Sequence, residues 1–260
     1  MRLYIIYAII LRYVRVFFHD INRLFSLFFW PAFDMFLWGF LGQWVQESSG
    51  GDFQLAFLSS IALWQMMLRF SQEMASSFLE DVWTQNLINF FVAPIKVVEW
   101  FIGLITISSA VGIAVYFNCA FIVSLLYKKS FITFVYNFLT FGPALFLSGI
   151  FLGMIPLILI MKLGRKGAEM AYIITWIVAP FCGVFYPRTV LPLFAQKIGS
   201  FLPMTYVFEG VRNYMIHGIF PAKQLAISCG ISSLYIVISL TIFMHVFAQT
   251  KKSGLSRLYD

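Results

Sequence analysis

Charge is scarce in this chain. Only 11% of its 260 residues are Asp, Glu, Lys or Arg, less than half of the roughly 25% usual in a soluble globular domain. With 61% hydrophobic residues, a soluble core of this length could not hide the apolar surface. The bilayer is the solvent that fits. Aromatics reach 19%, and the 31 Phe suit lipid contact.

Other scarcities narrow the reading. Cysteine occurs three times, at Cys119, Cys182 and Cys229, each inside an apolar run and never as CxxC. An odd, scattered count excludes a disulfide framework and reads as small buried hydrophobes. His19, His217 and His245 lie far apart without ligand spacing, so no metal is expected. No small-x-small cleavage site follows the short apolar run at 3–11, which Arg12 and Arg15 close, so no cleavable signal peptide is expected. The dipeptide Gly-Lys is missing, and with it the phosphate loop whose amides and lysine cradle a nucleotide. The chain is therefore not expected to be an enzyme by itself. No row of acids and histidines crosses it, as a proton relay would require, which weakens an ion-coupled carrier or channel. Its acids are isolated, which weakens a membrane-embedded enzyme.

What is present is basic and apolar. The net charge of +7 is scattered between apolar runs rather than gathered in a stripe, so nucleic acid is excluded as a partner. About 20 apolar residues cross the hydrocarbon. Six runs qualify as candidate spans: 24–45, 53–75, 98–126, 131–161, 170–186 and 225–248. The chain reads as one all-α integral membrane domain over 1–260. With both termini in the cytoplasm, most Lys and Arg fall inside, and Lys128, Lys129, Arg188, Lys197, Arg212 and Lys223 fall outside.

Four stretches depart from a plain alternation of span and loop. Residues 1–22 read as an interfacial amphipathic helix, with Arg12, Arg15, His19 and Asn22 on one face and Leu11, Val14, Phe17, Phe18 and Ile21 on the other. The cytoplasmic loop 76–96 interleaves Phe78, Val82, Leu87, Phe90 and Phe91 with Glu80, Asp81, Gln85, Asn86 and Asn89. It reads as a short surface helix that Pro94 ends, with a polar side for a soluble partner. Residues 187–220 are too polar for a span and too apolar for a loose loop. Pro187, Pro192, Gly199 and Pro203 divide them into two half-helices, 191–199 and 203–217, as a re-entrant hairpin on the outer side. The fourth run is longer than one span, with Gly142-Pro143 and Pro156 as possible kinks and Gly149-x-x-x-Gly153 as a close-contact spacing.

Charges within the spans are costly, on the order of 2.5–3.5 kcal/mol each by insertion scales. Asp34, near the middle of the first span, is expected to face other helices, as a hydrogen-bond anchor or along a pathway. Arg69 and Glu73 are four apart and can pair, or snorkel to the interface; Glu209 and Arg212 are three apart and can pair as well.

One ordered set of motifs is specific in combination. Cys182-Gly-Val-Phe-Tyr-Pro187, Val190-Leu-Pro192, Leu202-Pro-Met-Thr-Tyr206, Glu209 and Arg212 together resemble the signature of type-2 ABC exporter permeases. Gly183, Tyr186, Pro187, Pro192, Pro203, Thr205, Tyr206, Glu209 and Arg212 match, and Met204 stands where Leu is usual. Residues 80–103 resemble that family's coupling helix and third span. Ala93-Pro-Ile95 matches, whereas Trp83-Thr-Gln-Asn86 departs from the usual Gly-Thr-x-Glu.

The resemblance implies a six-span subunit that works as a dimer, a homodimer by preference, in a bacterial cytoplasmic membrane. Each subunit would dock on a separate cytoplasmic ATPase that binds ATP and magnesium. The cargo would be a lipid-linked glycan, a lipid or a drug-like amphiphile. Glu80, Asp81, Thr84, Gln85, Asn86, Asn89 and Pro94 would transmit ATPase closure, with the N-terminal helix beside them. The re-entrant segment would close the outer mouth.

Overall fold

The computed structural model describes residues 2–49, 53–84, 86 and 95–253. Among these the chain is helical throughout, without strands. In chain order the helices are α1 (Leu3–His19), α2 (Ile21–Ser49), α3 (Phe53–Trp83), α4 (Val97–Tyr127), α5 (Phe131–Leu163), α6 (Arg165–Val178), α7 (Leu193–Phe201), α8 (Pro203–His217) and α9 (Ala222–Ser253). Short 3-10 turns at Ala179–Phe181 and Arg188–Val190 join α6 to α7.

Among the described residues four helices are long and apolar enough to cross a membrane: α2 over Ile21–Glu47, α4, α5, and α9 over Ala222–Thr250. Their outer faces are aromatic and aliphatic. Phe25, Phe29, Phe33, Phe36 and Phe40 of α2 and Leu234, Val237 and Ile242 of α9 are exposed, as a lipid solvent requires. The chain is an all-helical membrane protein.

The bundle is built around α3, which packs against α2, α4, α5, α6 and α8. Most residues of α3 are buried, including Gln54, Ser59, Ser60, Gln65, Ser71, Glu73, Ser77 and Asp81. This explains its composition. A helix that meets protein on all sides can carry polar groups if each finds a partner. Gln54 donates to the Gly39 carbonyl (3.2 Å), Ser59 accepts from Asn137 (3.1 Å), and Ser71 donates to the Met67 carbonyl (3.0 Å). The expected Gly149-x-x-x-Gly153 contact is made with α3. A methyl on Gly149 would stand 2.8 Å from the Phe70 ring, and one on Gly153 2.6 Å from the Met74 sulfur. α5 continues through Pro143 and Pro156 as one helix of 33 residues.

Three sequence expectations change. First, α3 does not stop near Ala75. It runs on to Trp83, so 76–83 is the last two turns of a bundle helix and not a separate surface helix. The interleaved polar residues there serve contacts inside the bundle. Second, the buried face of α1 is Ile6, Ile9, Tyr13 and Phe17, spaced three and four apart. Phe18 and Ile21 are exposed, because α1 ends at His19 and Ile21 opens α2. Third, α6 begins at Arg165 and gives way to a 3-10 turn at Ala179, so the run at 170–186 is not one continuous helix.

The packing fixes two ends. The start of α2, the end of α3, the start of α4 and the end of α9 come together with α1, through Arg23 with Glu73 and Trp100 with Phe243. Both the N-terminal helix and the end of α9 therefore lie at this end. The opposite end carries α7, α8 and the turns before them, where Phe185 stacks on Trp38 at 5.0 Å.

Candidate functional sites at the two ends of the bundle

At the end shared by α1 and the close of α9, four ion pairs among the described residues tie neighbouring segments together. Arg2 bonds Glu99, whose carboxylate also accepts the backbone N–H of Arg2 (3.0 Å) and of Lys96 (3.1 Å). Asp81, fully buried on the last turn of α3, accepts from Arg12 and from the Tyr13 hydroxyl (2.5 Å), both on α1, and from Asn86 (3.3 Å). Tyr13 in turn accepts from the Trp100 indole N–H (2.8 Å), and Trp100 stacks on Phe243 of α9 (6.0 Å, 18°). Burial and the neighbouring Asp81 charge push the Tyr13 phenol well above its ordinary pKa, so it keeps its proton and donates. One hydroxyl thus joins α1, α3, α4 and, through the indole, α9.

The other two pairs join Arg23 of α2 to Glu73 and to Glu80 of α3. Its guanidinium also reaches Ser77 (2.9 Å) and lies 5.4 Å from the Phe17 ring centre. Glu73 is nearly enclosed, and a carboxylate buried this way is stable only when paired.

The candidate coupling residues divide between this clamp and the exposed end of α3. Glu80 pairs with Arg23 and stays partly exposed, whereas Asp81 is buried against α1. Thr84 is exposed, and its hydroxyl closes α3 by donating to the Glu80 carbonyl (2.8 Å). Asn86 is half-buried against Asp81. Gln85, Asn89 and Pro94 lie outside the described residues.

The intramembrane charges are placed differently from their sequence neighbours. Glu73 takes Arg23 rather than Arg69, and Arg69 donates to the Ser26 carbonyl (2.9 Å). Helical spacing allows an i, i+4 pair, but the facing α2 offers better geometry. Asp34 accepts from Gln65 of α3, as its expected anchoring to another helix requires. Arg23, Tyr13, Gln65, Glu99 and Trp100 were not among the residues singled out from the sequence. Only Glu99 carried a local signal, an acid three positions after the helix cap at Lys96.

At the other end, the motif residues scattered over 183–212 close on one another. Gly183 sits in the left-handed region (φ +69°), which only glycine adopts without strain, and its carbonyl accepts from Arg212 of α8 (2.9 Å). Gly199 allows α7 to approach the Phe181 carbonyl so closely that a methyl would stand 2.6 Å away. Pro187 precedes the second 3-10 turn, Pro192 caps α7 and Pro203 opens α8, positions that suit a residue lacking an N–H. Tyr186 donates to the Pro180 carbonyl (3.0 Å) and Tyr206 to the Ser200 carbonyl (2.9 Å). Thr205 is buried in the same unit. Glu209 pairs with Arg188 (3.1 Å) and not with Arg212, which is drawn to the Gly183 carbonyl instead. The two expected half-helices correspond to α7 and α8, each shifted by at most two residues.

No family model matches the chain, and no curated protein matches it. The fold and the two clusters define an all-helical membrane protein with a charged clamp at one end and a folded cap at the other.

Proposed function

We propose that this chain is the membrane-spanning permease subunit of an ATP-driven exporter, similar to the type-2 ABC permeases. In this reading it pairs with a second copy and docks on a separate cytoplasmic ATPase, which binds ATP and magnesium. The two copies form the pathway for a lipid-linked glycan, a lipid or a drug-like amphiphile. α3, with 31 residues or about 46 Å of helix, and α6 with its 3-10 turn complete six crossings of a bacterial cytoplasmic membrane. α7 and α8 enter from the outer side as the re-entrant hairpin and close its mouth.

The observation that carries the reading is the seat of Asp81. The segment leaving α3 at Thr84 is the one that the resemblance assigns to the ATPase. It departs from a turn bonded to α1 through Arg12 and Tyr13, and through Tyr13 to Trp100 of α4. A push on Thr84 or Asn86 would therefore move α1, α3 and α4 together. Such rigid attachment suits an ATPase contact, because packed and bonded elements carry coupling between sites.

The test is purification of the chain from its native membrane in mild detergent, with identification of what accompanies it. A soluble ATPase in fixed ratio, lost when Thr84, Gln85 and Asn86 are replaced together by alanine, is the expected result. Transport that persists without ATP and follows an ion gradient would replace this reading with an ion-coupled carrier.

A further inference from the structure

A cavity of about 200 Å³ opens between α1, α2, α3 and α4. Its polar side is Arg69, Arg23, Gln72 and Glu73; its apolar side is Phe17, Leu27 and Val111. The two arginines differ in kind. Arg23 is balanced by Glu73 and Glu80. Arg69 forms no ion pair among the described residues. Its one hydrogen bond there goes to the Ser26 carbonyl (2.9 Å), and its Nε is buried without a hydrogen-bond partner. Two acids lie near it, Asp34 and Glu73, but Asp34 is bonded to Gln65 and Glu73 is paired with Arg23. A guanidinium has five N–H donors in a planar fork that matches phosphate oxygens. Leaving it under-used and half-buried costs free energy unless something else fills the fork.

Depth identifies the kind of anion. The apolar stretch of α2 begins at Ile21 and runs 27 residues, about 40 Å, against a hydrocarbon core of about 30 Å. Centred on that core the helix overhangs by about 5 Å at each end, so Arg23, in its first turn, falls at headgroup level and Ser26 just beneath it. The cavity is polar on one wall and apolar on the other, as the junction of a lipid headgroup with its acyl chains requires.

We propose that this cavity binds the phosphate of an anionic membrane lipid, with Arg69 as its principal ligand and the Gln72 amide as a second donor. Phe17, Leu27 and Val111 take the first methylenes of the chains. The inference requires only that α2 lies in a bilayer, so it stands whether or not an ATPase accompanies the chain.

The test uses the full chain in detergent, doped with phosphatidylglycerol or with diacylglycerol of the same chains. Bound lipid is read by native mass spectrometry. Phosphatidylglycerol should be retained and diacylglycerol lost. Arg69→Gln should lower retention about tenfold, the value of a charge-assisted hydrogen bond. Arg69→Lys should keep part of it. Val111→Phe, which fills the cavity and leaves the guanidinium in place, should lower it too, and decides the matter if Arg69→Gln does not fold. Equal retention of the two lipids, or indifference to both Arg69→Gln and Val111→Phe, overturns the proposal. Displacement by inorganic phosphate at equal concentration would assign the site to a free anion and overturn the lipid.

Discussion

Tyr13 and Asp81 stand 68 positions apart in the sequence, and their side chains meet at 2.5 Å in the buried junction of α1 with α3. The phenol occupies both of its roles there, donating to the carboxylate and accepting from Trp100. A surface-lying amphipathic helix would need no such bond. α1 is fastened to the bundle by a polar lock at its middle and an apolar stripe on either side of it.

Tyr13→Phe tests that lock. The ring and its packing stay, while the Asp81 carboxylate loses one donor and the Trp100 indole loses its acceptor. The variant should be destabilised by about 1–3 kcal/mol, the cost of leaving buried polar groups unpaired. Thermal unfolding in detergent measures it. Hydrogen exchange should rise first in α1, since it then keeps its bond to Asp81 through Arg12 and loses the one through the phenol. An unchanged midpoint with unchanged exchange in α1 would show that the apolar stripe suffices.

Much of this architecture was legible in the sequence, for physical reasons. Lipid-facing helices are apolar nearly all round, so α2, α4, α5 and α9 stand out by hydropathy alone. Proline and glycine mark where α7 and α8 begin and break, because their backbone constraints are local. The clusters were legible only in part. Sequence spacing places Arg69 beside Glu73 and Glu209 beside Arg212, and it identifies partners only when no other helix competes. In the bundle, Arg23 reaches Glu73 from α2, and Arg188 reaches Glu209 from the turn before α7. Such pairings depend on helix rotation and register, which no local pattern encodes. The end of α3 was misplaced for a related reason. Glu80 and Asp81 read as solvent-facing on a chain presumed to be leaving the bundle, whereas Arg12 of α1 holds Asp81 inside and Arg23 of α2 pairs with Glu80.

The two carboxylates that share Arg23 should behave unequally. The Glu73 side chain is 6% exposed and the Glu80 side chain 32% exposed. Arg23→Met leaves Glu73 charged and enclosed without its cation, and should cost about 3–5 kcal/mol. Glu80→Gln removes a pair that water screens, and should cost at most about 1 kcal/mol. Comparing unfolding midpoints of the two variants under one detergent condition checks the ranking. Equal effects would mean that Glu73 is neutralised by some other group.

The cap at the opposite end rests on backbone geometry that side chains would spoil, and three glycine-to-alanine variants separate the causes. Gly183→Ala places a methyl on a residue at φ +69°, costing about 1–2 kcal/mol, and disturbs the carbonyl that Arg212 holds. Gly199→Ala leaves backbone dihedrals alone but sets a methyl 2.6 Å from the Phe181 carbonyl, so α7 must move away from the turn, at about 1–3 kcal/mol. Gly230→Ala is the counter-case. It lies inside α9 with nothing within 4 Å of the added methyl, and should stabilise by up to about 1 kcal/mol through helix propensity. Unfolding midpoints should therefore fall for the first two and hold or rise for the third. Protease cleavage near 188–192 should increase for Gly183→Ala and Gly199→Ala alone, because only they loosen the contact between α7 and the turns that precede it.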